Sequence, residues 1–164
     1  ARDNARHYQH SELGYNYRMS NIVAGIGRGQ LLHIEEHKQL KKAIYQKYKE
    51  AFCDLPVEMN PYLEYTEPNF WLSCFTVNKD ALNKVNPEKI RLALESNNIE
   101  SRPIWKPMHL QPVFASCDFI NHNDGGISVS EEIFNSGLCL PSDIKNTKED
   151  MDLIIGIIRK LFRK

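Results

Sequence analysis

Between Ser20 and Phe52 the apolar residues recur with the period of an α-helix, which commits about a fifth of the chain to helical structure. At 100° per residue, Ile22, Val23, Ile26, Ile34, Leu40, Ile44, Tyr45, Tyr48 and Phe52 fall within one arc of about 140°. Arg28, Glu35, Gln39, Lys42, Gln46 and Glu50 fall on the far side. Ser20 can accept a bond from a free N–H of the first turn and so cap the helix. The pattern predicts one connecting helix over residues 21–53, about nine turns at 3.6 residues each. A helix of that length joins two parts of a molecule.

After it the signals shorten. Pro56, Pro61 and Pro68 punctuate a loop region. Phe70 to Val77, dense in aromatic and β-branched residues, predicts a strand. Asn86 caps and Pro87 opens a second helix, with Ile90, Ala93 and Leu94 on one face, and Asn97–Asn98 offers a left-handed stop. Ile99 to Ile104 predicts a short strand. Trp105 to Gly126 is irregular, with a turn at Gly125–Gly126. A short helix near Ser130–Asn135 and an extended segment at Gly137–Leu140 follow. Thr147 caps the last helix, with Glu149 and Asp150 where the helix dipole favours anions. Residues 1–20 predict a loop, and residues 54–164 an α+β domain, a small antiparallel sheet with helices on one face.

Charge excludes some functions. The 21 basic and 21 acidic residues cancel, so no net field gathers nucleic acid. No apolar run reaches the length of a membrane span; Leu153–Ile158 is interrupted by Gly156 and followed by Arg159 and Lys160. Cys53, Cys74, Cys117 and Cys139 lack the spacing of a zinc or redox motif, and each has apolar or aromatic neighbours in sequence. That pattern predicts buried, reduced thiols and a cytoplasmic protein. The start at Ala1, ahead of a polar loop and without a signal-peptide pattern, leads us to expect a segment of a longer chain. His33-Ile34-Glu35-Glu36-His37 has the spacing of a zinc-peptidase helix, but no third ligand is apparent downstream, and we expect no metal. There is no Gly-x-Gly-x-x-Gly, no P-loop, and no serine or cysteine on a glycine elbow.

Two segments carry usable chemistry. In Gly14-Tyr15-Asn16-Tyr17-Arg18, the i, i+2 spacing puts Asn16 and Arg18 on one side of an extended chain, an amide and a guanidinium suited to a phosphate or carboxylate. Tyr15 and Tyr17 then point away and pack. By spacing alone an ordinary solvent loop is the favoured reading of the pair, since such pairs are common on surfaces. In Ser101-Arg102-Pro103-Ile104-Trp105-Lys106-Pro107-Met108-His109, prolines stiffen a loop bearing a ring that can stack and a cation that can neutralise a diphosphate. Taken alone, the segment reads rather as a surface loop with Trp105 tucked into the core.

At these segments the sequence resembles the DegT/DnrJ/EryC1/StrS family of pyridoxal-phosphate sugar aminotransferases. Gly14-Tyr15-Asn16-Tyr17-Arg18-Met19-Ser20-Asn21, then Ala24-Gly25-Ile26-Gly27 and Gln30-Leu31, is similar to the family's segment after its catalytic lysine. His7-Tyr8-Gln9-His10-Ser11-Glu12 and Trp105-Lys106-Pro107-Met108-His109 resemble the subgroup that makes di-amino, trideoxy bacterial sugars. Phe134-Asn135-Ser136-Gly137-Leu138-Cys139-Leu140-Pro141-Ser142 resembles the late Gly-Leu-x-Leu-Pro motif.

The resemblance implies the C-terminal small domain of an aspartate-aminotransferase-type fold, and a homodimer with shared active sites. It implies pyridoxal 5'-phosphate as cofactor, with Asn16 reaching its phosphate in the neighbouring subunit and Arg18 close by, towards cofactor or substrate. It implies a nucleotide-linked keto-sugar and glutamate as substrates, Arg102, Trp105, Lys106 and His109 at the sugar-nucleotide site, and a place in surface-polysaccharide biosynthesis. The family's Schiff-base lysine and the acid facing the pyridine nitrogen precede the matching segment, so we expect no catalytic residue here and no turnover by this chain alone. Relatives that carry histidine for lysine and dehydrate the sugar, and a non-catalytic dimerisation or sugar-nucleotide-binding module, stay open at this point.

Overall fold

The computed structural model describes residue 11, residues 13–121 and residues 126–163. The segment His7–Glu12, apart from Ser11, and the Gly125 half of the expected turn lie outside the described residues. The chain divides into two compact units, residues 1–35 and residues 36–164.

In the first unit, α1 (Asn21–Leu31) begins where the sequence predicts: Ser20 Oγ accepts from Val23 N at 3.3 Å. It ends earlier than predicted. His33 N donates to Gln30 O at 3.1 Å, an i→i−3 bond that tightens the last turn, and α2 starts afresh at Ile34. The single long helix is therefore two helices. Three glycines at 25, 27 and 29 weaken the first, since each is about 1 kcal/mol less favourable in a helix than alanine. No residue of α1 is buried.

The second unit is an α+β sandwich. α2 (Ile34–Ala51), all but its first two residues in this unit, leads to β1 (Val57–Met59), β2 (Ser73–Val77), the one-turn α3 (Lys79–Leu82) and α4 (Pro87–Glu95). β3 (Arg102–Pro103), two short 3₁₀ turns, α5 (Val129–Ser136), β4 (Gly137–Leu140) and α6 (Lys148–Phe162) complete it. The strands order β1-β2-β4-β3, every neighbouring pair antiparallel.

β2 alternates buried and half-buried residues, so Ser73, Phe75 and Val77 share the inner face. Phe75 and Val77, with Leu138 and Leu140 of β4, join Tyr45, Tyr48 and Phe52 from α2 and the turn after it, Ile90 and Leu94 of α4, and Met151, Ile154 and Ile158 of α6. Tyr45 and Tyr48 bury their rings and keep a polar partner: their hydroxyls donate to Asn60 O and Pro141 O, each at 2.8 Å. On the outer face, a Cβ at Gly137 would lie 2.5 Å from Ile104 Cγ1 and 2.6 Å from Ile133 O, so only glycine lets α5 and the loop after β3 close over the sheet there.

The helix ends follow the sequence closely. Asn98 takes a left-handed φ of 59°, with Ile99 N bonding Leu94 O and Asn98 N bonding Glu95 O, the paired closure that asparagine permits. Thr147 and Asp150, like Ser128 and Glu131, form reciprocal capping boxes. The cysteines depart from expectation. Cys53 and Cys117 are exposed, Cys74 is half-buried and only Cys139 is buried; all four are free thiols. Apolar neighbours in sequence did not bury Cys53 and Cys117, because both lie in turns that leave the core. No helix among the described residues is long and apolar enough to cross a membrane.

Candidate functional site

In the second unit a cleft of about 490 Å³ opens beside the sheet edge. Trp71 and Trp105 line it with Arg102, Pro103, Cys139 and Ser142. The two indoles, both more than half exposed, lie 5.8 Å apart at 37°. Trp105 is therefore not a core residue.

Local chemistry fixes Trp71. Phe70, just before it, holds a left-handed φ of 49°, an outlier for a bulky side chain. The Phe70 ring is buried between Tyr45 and Tyr62, at centroid distances of 4.9 and 5.3 Å, and that packing holds the unusual backbone. Trp71 N donates to Asn69 Oδ1 at 3.0 Å, and Lys41 Nζ donates to Trp71 O at 3.2 Å and to Ser142 O. Ser142 Oγ accepts from Ser73 N at 2.9 Å and donates to Leu140 O at 2.8 Å. So the serine of the late motif is a structural tie between the start of β2 and the end of β4, which lie side by side.

Of the residues singled out in the sequence, Arg102 and Trp105 come together in this cleft; Lys106 and His109 are not among its lining residues. Arg102 Nε and Nη2 donate to Glu100 Oε1 at 2.8 and 2.6 Å. Both partners are largely exposed, so the pair is weak and a ligand anion can replace the carboxylate at little cost. His109 stacks on Phe119, ring centroids 3.7 Å apart, and its Nε2 lies 3.7 Å from Glu131 Oε2 without a hydrogen bond. Glu131 accepts from Ser128 N at 2.7 Å and from Ser128 Oγ at 2.8 Å; these bonds, with His109 adding to them, hold its carboxyl below the usual glutamate range. His109 thus ties the loop after Trp105 to the start of α5.

In the first unit, Asn16 Oδ1 accepts from Arg18 N at 3.1 Å, a side-chain turn that occupies the amide oxygen. Among the described residues neither the Asn16 Nδ2 nor the Arg18 guanidinium has a partner, so both present donors to solvent. Tyr15 and Tyr17 do not pack away as expected: they stack on each other, centroids 5.6 Å apart, and both are exposed. Trp71 and Lys41 escaped sequence reasoning. Trp71 read as one more strand aromatic; the Pro68-Asn69 turn signal before it is the one local hint that it stands outside the strand.

The family model for the DegT/DnrJ/EryC1/StrS aminotransferase family matches residues 1–159. The chain belongs to this family. Bacillus subtilis EpsN, whose name proposes a pyridoxal phosphate-dependent aminotransferase, is 40% identical over 163 residues, 99% of this chain and 41% of that protein. The GDP-perosamine synthase of Vibrio cholerae is 30% identical over 109 residues, 66% of this chain and 29% of that protein. Among solved structures, a DegT DnrJ EryC1 StrS aminotransferase from Brucella abortus superposes with a TM-score of 0.76 at 25% identity, covering 96% of this chain and 40% of that one. The chain thus spans well under half the length of these relatives, and its α+β fold is that of part of a DegT-family aminotransferase.

Proposed function

We propose that this chain is the C-terminal part of a homodimeric, cytoplasmic enzyme that moves an amino group from glutamate to a 4-keto sugar carried on a nucleotide, for surface-polysaccharide biosynthesis. Family membership supports the reaction class, and the relative named for making GDP-perosamine supports a nucleotide-linked sugar. The observation that carries the reading on this chain is the pairing of Trp71 and Trp105 beside Arg102 in one cleft. Aromatic walls suit a flat base, and an exposed guanidinium held only by Glu100 suits a diphosphate. Lys106 adds a second cation on the same loop, and His109 acts by positioning that loop.

Asn16 and Arg18 fit the phosphate of pyridoxal 5'-phosphate, bound in the sister subunit. The turn at Asn16 engages its oxygen and leaves its amide donor free, two residues in sequence from a guanidinium, a donor set that favours an anion. When bound, the cofactor supplies the electron sink that amino transfer needs. The residues of this chain bind, orient and neutralise charge; the lysine that moves protons belongs to another part of the protein, so the 164 residues alone turn nothing over.

The test is to incubate the full-length enzyme with glutamate and a panel of nucleotide-linked 4-keto sugars and to follow 2-oxoglutarate and amino-sugar nucleotide by mass spectrometry. Both products together are expected. A dehydrated sugar without 2-oxoglutarate would replace aminotransfer with dehydration. Visible absorbance and transamination by the 164-residue chain alone would overturn the division of labour.

A further inference from the structure

The outer face of the sheet carries two thiols directly opposite each other. Cys74 of β2 and Cys139 of β4 are register partners, and their sulfurs lie 3.4 Å apart. The hydrogen bonds of Cys74 point the other way: Asn60 N donates to Cys74 O at 2.9 Å, and Cys74 N donates to Asn60 Oδ1 at 3.0 Å. Towards β4, therefore, Cys74 and Cys139 occupy a non-hydrogen-bonded position of the antiparallel ladder. That position brings side chains closest, with Cα atoms about 4.5 Å apart, inside the range of about 4.4–6.8 Å that disulfides span.

The pair is also placed for chemistry. Cys139, although buried, is among the residues that line the tryptophan cleft, and the cleft is the side from which a small reagent would approach it. The Cys74 thiol donates to Cys139 Sγ, which makes Cys139 the more readily ionised of the two; that shared proton, and after it burial, push Cys74 up. Bringing 3.4 Å down to a bond of about 2.05 Å requires about 1.4 Å, shared between two side chains on strands that are already paired. Cys53 and Cys117 are free thiols too, but both are exposed and neither forms a sulfur–sulfur contact with another cysteine among the described residues.

We infer that Cys74 and Cys139 are a redox modification site, a thiol pair that a small-molecule disulfide oxidises to a cross-strand disulfide in the wall of the cleft. The Cys139 thiolate attacks one sulfur of the small disulfide, breaking its S–S bond and releasing one small thiolate. Cys74 then gives up its proton to solvent, attacks Cys139 Sγ in the mixed disulfide and releases the second thiolate. Two electrons pass from the protein pair to the small disulfide, which leaves as two thiols carrying the two protons. A dithiol reductant reverses the sequence.

The experiment treats the full-length protein with oxidised glutathione, blocks remaining thiols with iodoacetamide, and maps peptides without reduction. A Cys74 peptide joined to the Cys139 peptide, two hydrogens lighter than the sum of the two, is expected, while Cys53 and Cys117 carry single glutathione adducts. Cys74→Ser is expected to stop the sequence at glutathione on Cys139. Because the map on the unmutated protein decides by itself, a variant that fails to fold leaves the test intact. Alkylated Cys74 and Cys139, or a glutathione on each without a joined peptide, would overturn the assignment.

Discussion

The indoles of Trp71 and Trp105 lie 5.8 Å apart, tilted by 37°, in the lining of one cleft, although one precedes β2 and the other follows β3. β2 and β3 both run antiparallel to β4 and so parallel to each other, so the two rings meet only because the chain turns back after β3 towards the start of β2. Stacking a base on an aromatic ring is worth about 1–3 kcal/mol. In the full-length enzyme, Trp71→Ala and Trp105→Ala are each expected to raise KM for the sugar nucleotide by roughly 5- to 150-fold, the equivalent of that energy. Cofactor absorbance should stay the same, since neither ring is proposed to touch it. Unchanged KM in both variants removes the cleft from the substrate site.

Asn16 and Arg18 make a separable prediction. Removing one charge-assisted hydrogen bond weakens binding by about 1.5–3 kcal/mol. Asn16→Ala and Arg18→Ala in the full-length enzyme should therefore release pyridoxal phosphate more readily in equilibrium dialysis, with Arg18→Lys only partly rescuing, because an ammonium lacks the planar fork. Equal cofactor retention in all three variants places the phosphate elsewhere.

Much of this architecture can be read from local chemistry. Ser20, Asn86 and Thr147 cap helices where their side chains predict it, and Asn98 stops α4, because capping depends on residues three or four apart. The strands are harder. The signal over Ile99–Ile104 shrinks to a pair at Arg102–Pro103, and Val57–Met59 gives no signal at all; each is a strand only because a distant backbone offers it partners. The break at Leu32–His33 is equally hidden, since apolar periodicity continues across it. At the site, Arg102 and Trp105 were legible as a stiffened loop, whereas Trp71 depends on Phe70 holding a left-handed backbone, which no residue-type rule foretells.

Tyr48 ties the core to the edge of the cleft, since its hydroxyl donates to Pro141 O at 2.8 Å from a fully buried ring. Tyr48→Phe keeps the ring and strands that carbonyl, which should destabilise the chain by about 1–2 kcal/mol in urea unfolding. Burial raises the Tyr48 pKa above the ordinary phenol value of about 10. A raised folded-state value contributes stability that is complete below pH of about 10 and is lost as pH climbs towards it. The wild-type chain should accordingly lose stability more steeply than Tyr48→Phe in alkali. Parallel alkaline slopes would show that the phenol is not sequestered as its geometry indicates.

The acid side has the opposite sign and different residues. Thr147 N and Oγ1 donate to Asp150 Oδ2, both at 2.8 Å, and these bonds lower the Asp150 pKa. The Arg159 guanidinium does the same to Asp54, through bonds of 2.7 and 2.6 Å. A lowered folded-state value contributes stability that is present above about pH 4, the unfolded aspartate value, and disappears as pH falls through the folded one. Asp150→Asn should make the acid unfolding curve, followed by circular dichroism, shallower than that of the wild-type chain. Thr147→Ala should act at neutral pH as well, by about 1 kcal/mol, because it also removes the cap on Asp150 N. If Asp150→Asn and wild type unfold in acid along the same curve, the capping box at the head of α6 is not what the carboxylate is holding.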